Sequence, residues 1–310
     1  MRLDSQRRKS PSFVIQELFP KTFMNDSMPA TERFTTSSGM KIEADLWGPI
    51  SDRPVLLLHG GGQTRHSWDS TAKRLANVGA FAITLDMRGH GRSDWSEKSE
   101  YKLSQFSEDI AFVLEEIGIC PALVGASLGG LVGMYLEGCV RPGSISALVL
   151  VDIVPNMNVN GAERVKDFML EHSEVGFASL SEVAEVLAEY NPYRKKPKDL
   201  EGLKKNLRKR GNRWFWHWDP SFISSERNEK NPDMRNPQLL NEVMRKIEVP
   251  TLLVRGKMSE LVTENEAREF LHEYPQAEFV DVSGAGHMVA GDKNDIFSEE
   301  VIQFLNRLWE

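Results

Sequence analysis

Leu123-Val124 leads into Gly125-Ala126-Ser127-Leu128-Gly129, a Gly-x-Ser-x-Gly string between a short apolar run and an apolar, glycine-rich segment of helical character. This is the pattern of a sharp strand-to-helix turn that lifts a serine hydroxyl clear of the backbone. Glycines flank the serine because strand and helix come too close there for a Cβ. A serine hydroxyl is a weak nucleophile at neutral pH unless a base accepts its proton during attack. His287 is the candidate base, in Ser283-Gly284-Ala285-Gly286-His287, a turn-forming string about 160 residues further on. Imidazole both takes and returns a proton near neutral pH. His66, His172, His217 and His272 fall in segments that read as helices or as part of a helical insertion.

These residues need a frame, and the chain alternates accordingly. Arg33–Thr36 and Lys41–Trp47 read as two strands joined at Ser38-Gly39, and Pro54–Leu58 as a buried strand running into His59-Gly60-Gly61-Gly62. A helix over Trp68–Val78 and a strand over Ala80–Leu85 follow, ending in the charged, turn-rich loop Asp86–Asp94. Ser104 is the expected cap of a helix with Phe106, Ile110, Val113, Leu114 and Ile117 at helical spacing. Pro121–Val124 delivers Ser127, and Ala147–Ile153 is the next strand, with Asp152 at its carboxyl end.

The alternation then stops. No strand is expected over 155–248, only helices at Gly161–His172, Ser181–Tyr190, Leu200–Arg210 and Pro237–Ile247. Strand Pro250–Gly256, a helix with a Thr263/Glu266 capping box, strand Ala277–Val282 and a closing helix with Phe297, Val301, Phe304, Leu305 and Leu308 complete the chain. The resulting division is an N-terminal arm (1–29), an α/β core (30–154 and 249–310) and an all-helical cap (155–248).

The glycine string at 59–62, the Asp86–Asp94 loop, the serine elbow, an acid after a later strand and Gly286-His287 occur in the order found in the α/β-hydrolase fold superfamily. From about Thr31 onward the chain resembles its serine-nucleophile members with a helical cap. The resemblance implies a mostly parallel central sheet flanked by helices, Ser127 as nucleophile and His287 as general base and acid. It further implies an oxyanion hole made by the backbone N–H groups of Leu128 and Gly61. His59 is expected to be a structural hydrogen-bonding residue, and Asp86, Arg88 and His90 to knit loops together. Gln63 and Arg65 are candidates to touch substrate.

The acid has two candidates. The usual family position, after the strand that follows the cap, is Ser259 in Gly256-Lys257-Met258-Ser259, with Glu260 one residue late. A minority of relatives place the acid at the end of the strand before the cap, which here is Asp152. A carboxylate on so apolar a strand is costly to bury without a partner. With Asp152 as the acid, Ser259 could hydrogen-bond the pair; alternatively Glu260 reaches His287 and Asp152 is structural.

Composition narrows the classes. A net charge of −7 disfavours nucleic acid as a partner, and the apolar runs are strand-sized, too short for a membrane span. The two cysteines, Cys120 and Cys139, fit a reducing, cytoplasmic setting and no disulfide framework. No histidine or cysteine cluster has metal-ligand spacing, and no cofactor or metal is expected. Arg213-Trp214-Phe215-Trp216-His217-Trp218 holds three of seven tryptophans. Trp214, Trp216 and Trp218 pack the cap or line an apolar acyl pocket. The expected activity is hydrolysis of a small apolar ester or lactone through an acyl-enzyme. The alternatives are carbon–carbon bond hydrolysis of a diketone or ring-fission product, or a ligand-binding receptor on the same scaffold.

Overall fold

Strands with nearly unbroken runs of Val, Leu and Ile are stable only when covered on both faces, which favours a parallel sheet between two helical layers. A computed structural model describes residues 28–190, 200–224, 232–286 and 294–310. Among them the strands are β1 Ala30–Thr35, β2 Lys41–Trp47, β3 Pro54–Leu58, β4 Phe81–Leu85, β5 Ala122–Ala126 and β6 Ala147–Val151, then β7 Leu207–Arg210, β8 Arg213–Trp216, β9 Thr251–Gly256 and β10 Glu278–Val282. Eight of them form one sheet in the order β1-β2-β4-β3-β5-β6-β9-β10. β2 pairs antiparallel with both of its neighbours, and from β4 to β10 every pairing is parallel.

The helices are α1 Asp69–Asn77, α2 Leu103–Ile117, α3 Leu128–Tyr135, α4 Val159–Leu170, α5 Leu180–Tyr190, α6 Pro237–Met244, α7 Glu264–Glu273 and α8 Asn294–Trp309. Side chains alternate across the pleat, so each central strand supplies two cores. Leu56, Leu58, Leu123, Leu148 and Leu150 pack with α2, α3 and α6 on one face. Val55, Leu57, Val124, Val149 and Val151 pack with α1 and α8 on the other. The Thr263 capping box forms as expected at the start of α7. α2 begins at Leu103 rather than after Ser104, and the Gln105 side chain accepts the Lys102 N–H at 2.8 Å.

Two boundaries differ from the sequence expectation. The segment 155–248 is not all helical: β7 and β8 form an antiparallel hairpin, Leu207 opposite Trp216 and Arg210 opposite Arg213. The Leu200, Leu203, Leu207 spacing suggests one helix, but only a 3₁₀ turn over Glu201–Asn206 forms. Leu207 is already extended, and Gly211 (φ 57°) turns the chain back. Gly211-Asn212 is a two-residue hairpin signal that the helical spacing obscured.

The second difference is α6. β6 and β9 are parallel neighbours, so the chain must return from the carboxyl to the amino edge of the sheet between them. α6 makes that return, with Leu240, Val243 and Met244 buried in the α2/α3 core. α6 thus packs with the helices that cover the sheet, although it falls within the 155–248 range that the sequence assigns to the cap. Nearly all of the 1–29 arm lies outside the described residues. No helix among the described residues is long and apolar enough to cross a membrane.

Candidate active site

β5 and β6 end side by side, Ala126 opposite Val151, and each is followed by a residue in the left-handed region: Ser127 at φ 46° and Asp152 at φ 51°. Such conformations are strained for residues with a Cβ and persist only where the surroundings impose them. At Ser127 the glycines impose it. A Cβ on Gly125 would overlap the Gly129 carbonyl, and one on Gly129 would overlap the Leu58 carbonyl of β3. The Ser127 N–H donates to Val151 O at 3.0 Å, while Ser127 O accepts from Gly130 and Leu131 at 3.0 and 3.1 Å. Ser127 is half-buried. Leu128 is the first residue of α3, a position whose N–H has no acceptor within its own helix.

The glycine loop lies against the serine: a Cβ on Gly60 would sit 3.6 Å from Ser127 Cβ. Its backbone donors are mostly engaged. Gly60 N–H donates to Gln63 Oε1 at 3.1 Å, Gly62 N–H to His90 Nε2 at 3.2 Å, and Gln63 N–H to Gly60 O at 3.1 Å. Gly61 N–H has no partner among the described residues. Above it sit Phe222 and Met169, whose nearest atoms lie 3.5 and 3.7 Å from where a Gly61 Cβ would be.

Asp152 is fully buried. Its Oδ1 accepts Gly256 N–H at 3.1 Å and its Oδ2 accepts the Ser259 hydroxyl at 2.5 Å. Ser259 Oγ in turn accepts the N–H groups of Leu261 and Val262 at 3.1 and 3.2 Å. The serine at the usual acid position thus serves the carboxylate on the neighbouring strand. Glu260 points the other way. Its carboxylate meets Arg164 Nη1 of α4 at 2.5 Å, with both side chains half exposed or more. His287 lies outside the described residues. The loop leading to it runs beside this acid: Lys257 N–H donates to Val282 O at 3.0 Å, and Met258 N–H to Ala285 O at 2.9 Å.

The Asp86–Asp94 loop is an ion-pair knot, as its composition suggests. Asp86 accepts Arg65 N–H at 2.7 Å, Arg65 Nη1 at 2.6 Å and Arg92 N–H at 2.9 Å. Arg88 makes a two-point pair with Asp109 at 2.6 and 2.8 Å. Burial pushes the Asp86 carboxyl up, but the Arg65 guanidinium, His59 and the N–H donors outweigh it and hold the group below its ordinary value. Arg65 is buried in this knot with Asp45, Asp86 and Glu43, which removes it as a substrate contact. Asp45, His66 and Asp69 also converge, with ligand atoms within 4.8 Å of one another. Arg65 and Thr31 hold Asp45, and Lys205 and His66 hold Asp69, so each carboxylate of the cluster already has partners.

Of the cap tryptophans, Trp218 packs on the glycine loop, 3.2 Å from a Gly62 Cβ position, and Trp216 stacks on Trp218 at 4.9 Å. Trp214 is half-buried, with Lys204 and Lys209 over its ring. Residues that sequence reasoning missed are Met169, Phe222 and, above all, His217. His217 Nδ1 accepts Gly91 N–H at 2.7 Å and its Nε2 donates to Gly62 O at 3.3 Å. Burial pushes its imidazole down to about 3, so the ring is neutral. Asp219 secures the same stretch, through its N–H on Gly89 O at 2.8 Å and a short hydrogen bond accepted from Tyr101. Nothing in the spacing around His217 marks it; its partners are over a hundred residues distant.

A match to the alpha/beta hydrolase fold family spans residues 53–293, and the chain belongs to that family. It is 30% identical over 277 residues to the esterase Rv0045c of Mycobacterium tuberculosis, covering 87% of each protein. It is 28% identical over 265 residues to the sn-1-specific diacylglycerol lipase ABHD11 of Mus musculus, covering 81% of this chain and 80% of that one. Among solved structures, E-2-(acetamidomethylene)succinate hydrolase superposes with a TM-score of 0.79 at 20% identity, over 90% of this chain and 99% of the other.

Proposed function

We propose that this chain is a serine hydrolase that cleaves a carboxylic ester or lactone through an acyl-enzyme. The observation that carries the reading is the meeting of three features at one sheet edge: the strained Ser127 elbow, the unengaged Gly61 N–H beside it, and the buried Asp152 on the next strand. Ser127 Oγ attacks the ester carbonyl as His287 takes its proton. The N–H groups of Gly61 and Leu128 hold the oxyanion. Asp152, fixed by Ser259 and Gly256, orients His287 and stabilises the imidazolium. His287 then returns the proton to the departing alcohol. Water, deprotonated by the same imidazole, attacks the acyl carbon, and the acid leaves as Ser127 recovers its proton.

Asp152 is preferred to Glu260 because Glu260 is committed to Arg164 on the outside of the fold. Met169, Phe222 and Trp218 around Gly61 and Gly62 suit an apolar acyl group. The esterase and lipase relatives support ester chemistry over carbon–carbon cleavage.

The test is labelling with a fluorophosphonate, with turnover of p-nitrophenyl esters measured alongside. The expected outcome is one adduct, located by mass spectrometry on Ser127, and ester turnover that falls at least about a thousandfold in Ser127→Ala. Absence of the adduct with negligible ester turnover would sink the reading in favour of a receptor. Diketone cleavage outpacing ester cleavage would favour the carbon–carbon hydrolase.

A further inference from the structure

In a trans peptide the C=O and N–H groups point in opposite directions, so anchoring one aims the other. Three successive peptide planes of the glycine loop are anchored in this way, each by a different histidine. The 60–61 plane is held by His59, whose Nδ1 donates to Gly60 O at 2.8 Å. The 61–62 plane is held by His90, whose Nε2 accepts Gly62 N–H. The 62–63 plane is held by His217, whose Nε2 donates to Gly62 O.

The second nitrogen of each ring fixes the tautomer. His59 Nε2 accepts Met87 N–H at 3.0 Å, His90 Nδ1 donates to Arg88 O at 2.9 Å, and His217 Nδ1 accepts Gly91 N–H. The rings follow one another, with centroids 5.0 Å apart from His59 to His90 and 5.9 Å from His90 to His217. The donor left unengaged among them is Gly61 N–H. His59 and His90 belong to the core, whereas His217 arrives from the cap, at the end of β8.

We infer that His217 is a positioning residue for the oxyanion hole: seated from the cap, it fixes the peptide after Gly62 and so completes the aim of the Gly61 N–H. This rests on the acyl-enzyme reading above. The cap is therefore part of the carbonyl-activating apparatus as well as a cover over the substrate. A cap shifted off Gly91 releases Gly62 O and with it one of the three anchors. His217 touches no reacting atom in this scheme and acts through Gly62 alone. Its loss is expected to weaken transition-state binding and leave ground-state binding almost unchanged.

The experiment compares His217→Phe, His217→Gln and His217→Asn in the full-length chain. Phe keeps the ring volume and loses both nitrogens. Gln places a donor near the position of Nε2, and Asn places an acceptor near that of Nδ1. Each variant is measured for kcat and KM on p-nitrophenyl butyrate and for the Ki of a trifluoromethyl ketone that mimics the tetrahedral adduct. Urea unfolding is recorded in parallel. The expected result is a fall in kcat of about 10- to 100-fold in Phe and Asn, less than loss of a whole oxyanion donor. KM is expected to stay within about threefold, and Ki to rise by the same factor as kcat/KM falls. Gln is expected to recover most of the rate.

A folded Phe variant with wild-type kcat and Ki overturns the inference. So does rescue by Asn in place of Gln, which would assign His217 to cap docking on Gly91. If Phe does not fold, the Gln and Asn pair decides alone. Wild-type chain that neither turns over esters nor forms the fluorophosphonate adduct sinks the acyl-enzyme reading itself, an outcome separate from a null effect at position 217.

Discussion

Asp152 and Glu260 are both carboxylates at loop positions near the carboxyl edge of the sheet, and their surroundings differ in every respect that matters to catalysis. Asp152 is sealed from solvent, accepts a hydroxyl and a backbone N–H, and sits one strand from Ser127. Glu260 is exposed and paired with an exposed arginine. A carboxylate that orients imidazole by a charge-assisted hydrogen bond gains most from a dry, fixed setting. Asp152→Asn is expected to lower kcat by about a thousandfold or more, because the amide no longer favours the required tautomer and imidazolium. Glu260→Gln is expected to leave kcat within about threefold and to change stability by less than about 1 kcal/mol, as for an exposed ion pair. Steady-state kinetics and urea unfolding of the two variants check this; a larger kinetic loss at Glu260 would reverse the assignment.

The elbow at Ser127 was legible in the sequence because its glycines are local to it. The choice of acid was not, since it depends on burial and on which strand lies beside which. His217 was illegible for the same reason: Gly62 and Gly91 approach it only in three dimensions.

At the scale of elements, the close approach of α3 to β3 explains why Ser127 is lifted out of the sheet. Gly129→Ala forces a Cβ against the backbone carbonyl of Leu58, which no side-chain rotation can relieve. The expected cost is about 1–3 kcal/mol, read as a lowered urea midpoint. A loss of turnover larger than the unfolded fraction explains is also expected, because Leu128 N–H moves with the helix. An unchanged midpoint and rate would contradict the packing described. Elements of the core were readable because continuous apolar runs and helical spacing reflect burial directly. The β7–β8 hairpin was masked by two signals that mimic a helix: leucines at 200, 203 and 207, and a run of lysine and arginine. The stacking of Arg208 and Arg210 on Trp95 and of Lys204 and Lys209 on Trp214 shows how those cations are used. None of these pairings leaves a trace in periodicity.

For the whole molecule, two buried histidines contribute to the response to acid. His217 titrates near 6.5 when unfolded and at about 3 when folded. Between those values the unfolded chain carries one more proton, so unfolding becomes easier as pH falls, by up to about 1.4 kcal/mol per pH unit. Burial of His59 lowers its imidazole too and acts in the same direction. His217→Gln removes one such group. Its urea midpoint is expected to fall less steeply than that of wild type between pH 6.5 and 4.5, so that the two chains converge toward acid. Parallel slopes would mean that His217 is not held neutral by the fold.

The ends of the cap carry a consequence of another kind. The chain leaves the core just after β6, where Asn158 N–H donates to Leu261 O at 2.8 Å, and re-enters at α6, where Asn241 Nδ2 donates to Asn156 Oδ1 at 2.8 Å. Both stems are stapled to one rim, so the insertion has the layout of an exchangeable cassette that can be lengthened, shortened or replaced without disturbing sheet register. His217 breaks that independence. A cassette borrowed from another member of the fold brings its own acyl specificity, yet it restores the full rate only if it also presents a neutral donor to Gly62 O. In this chain, what the insertion binds and how fast the bound ester reacts are tied together through one side chain.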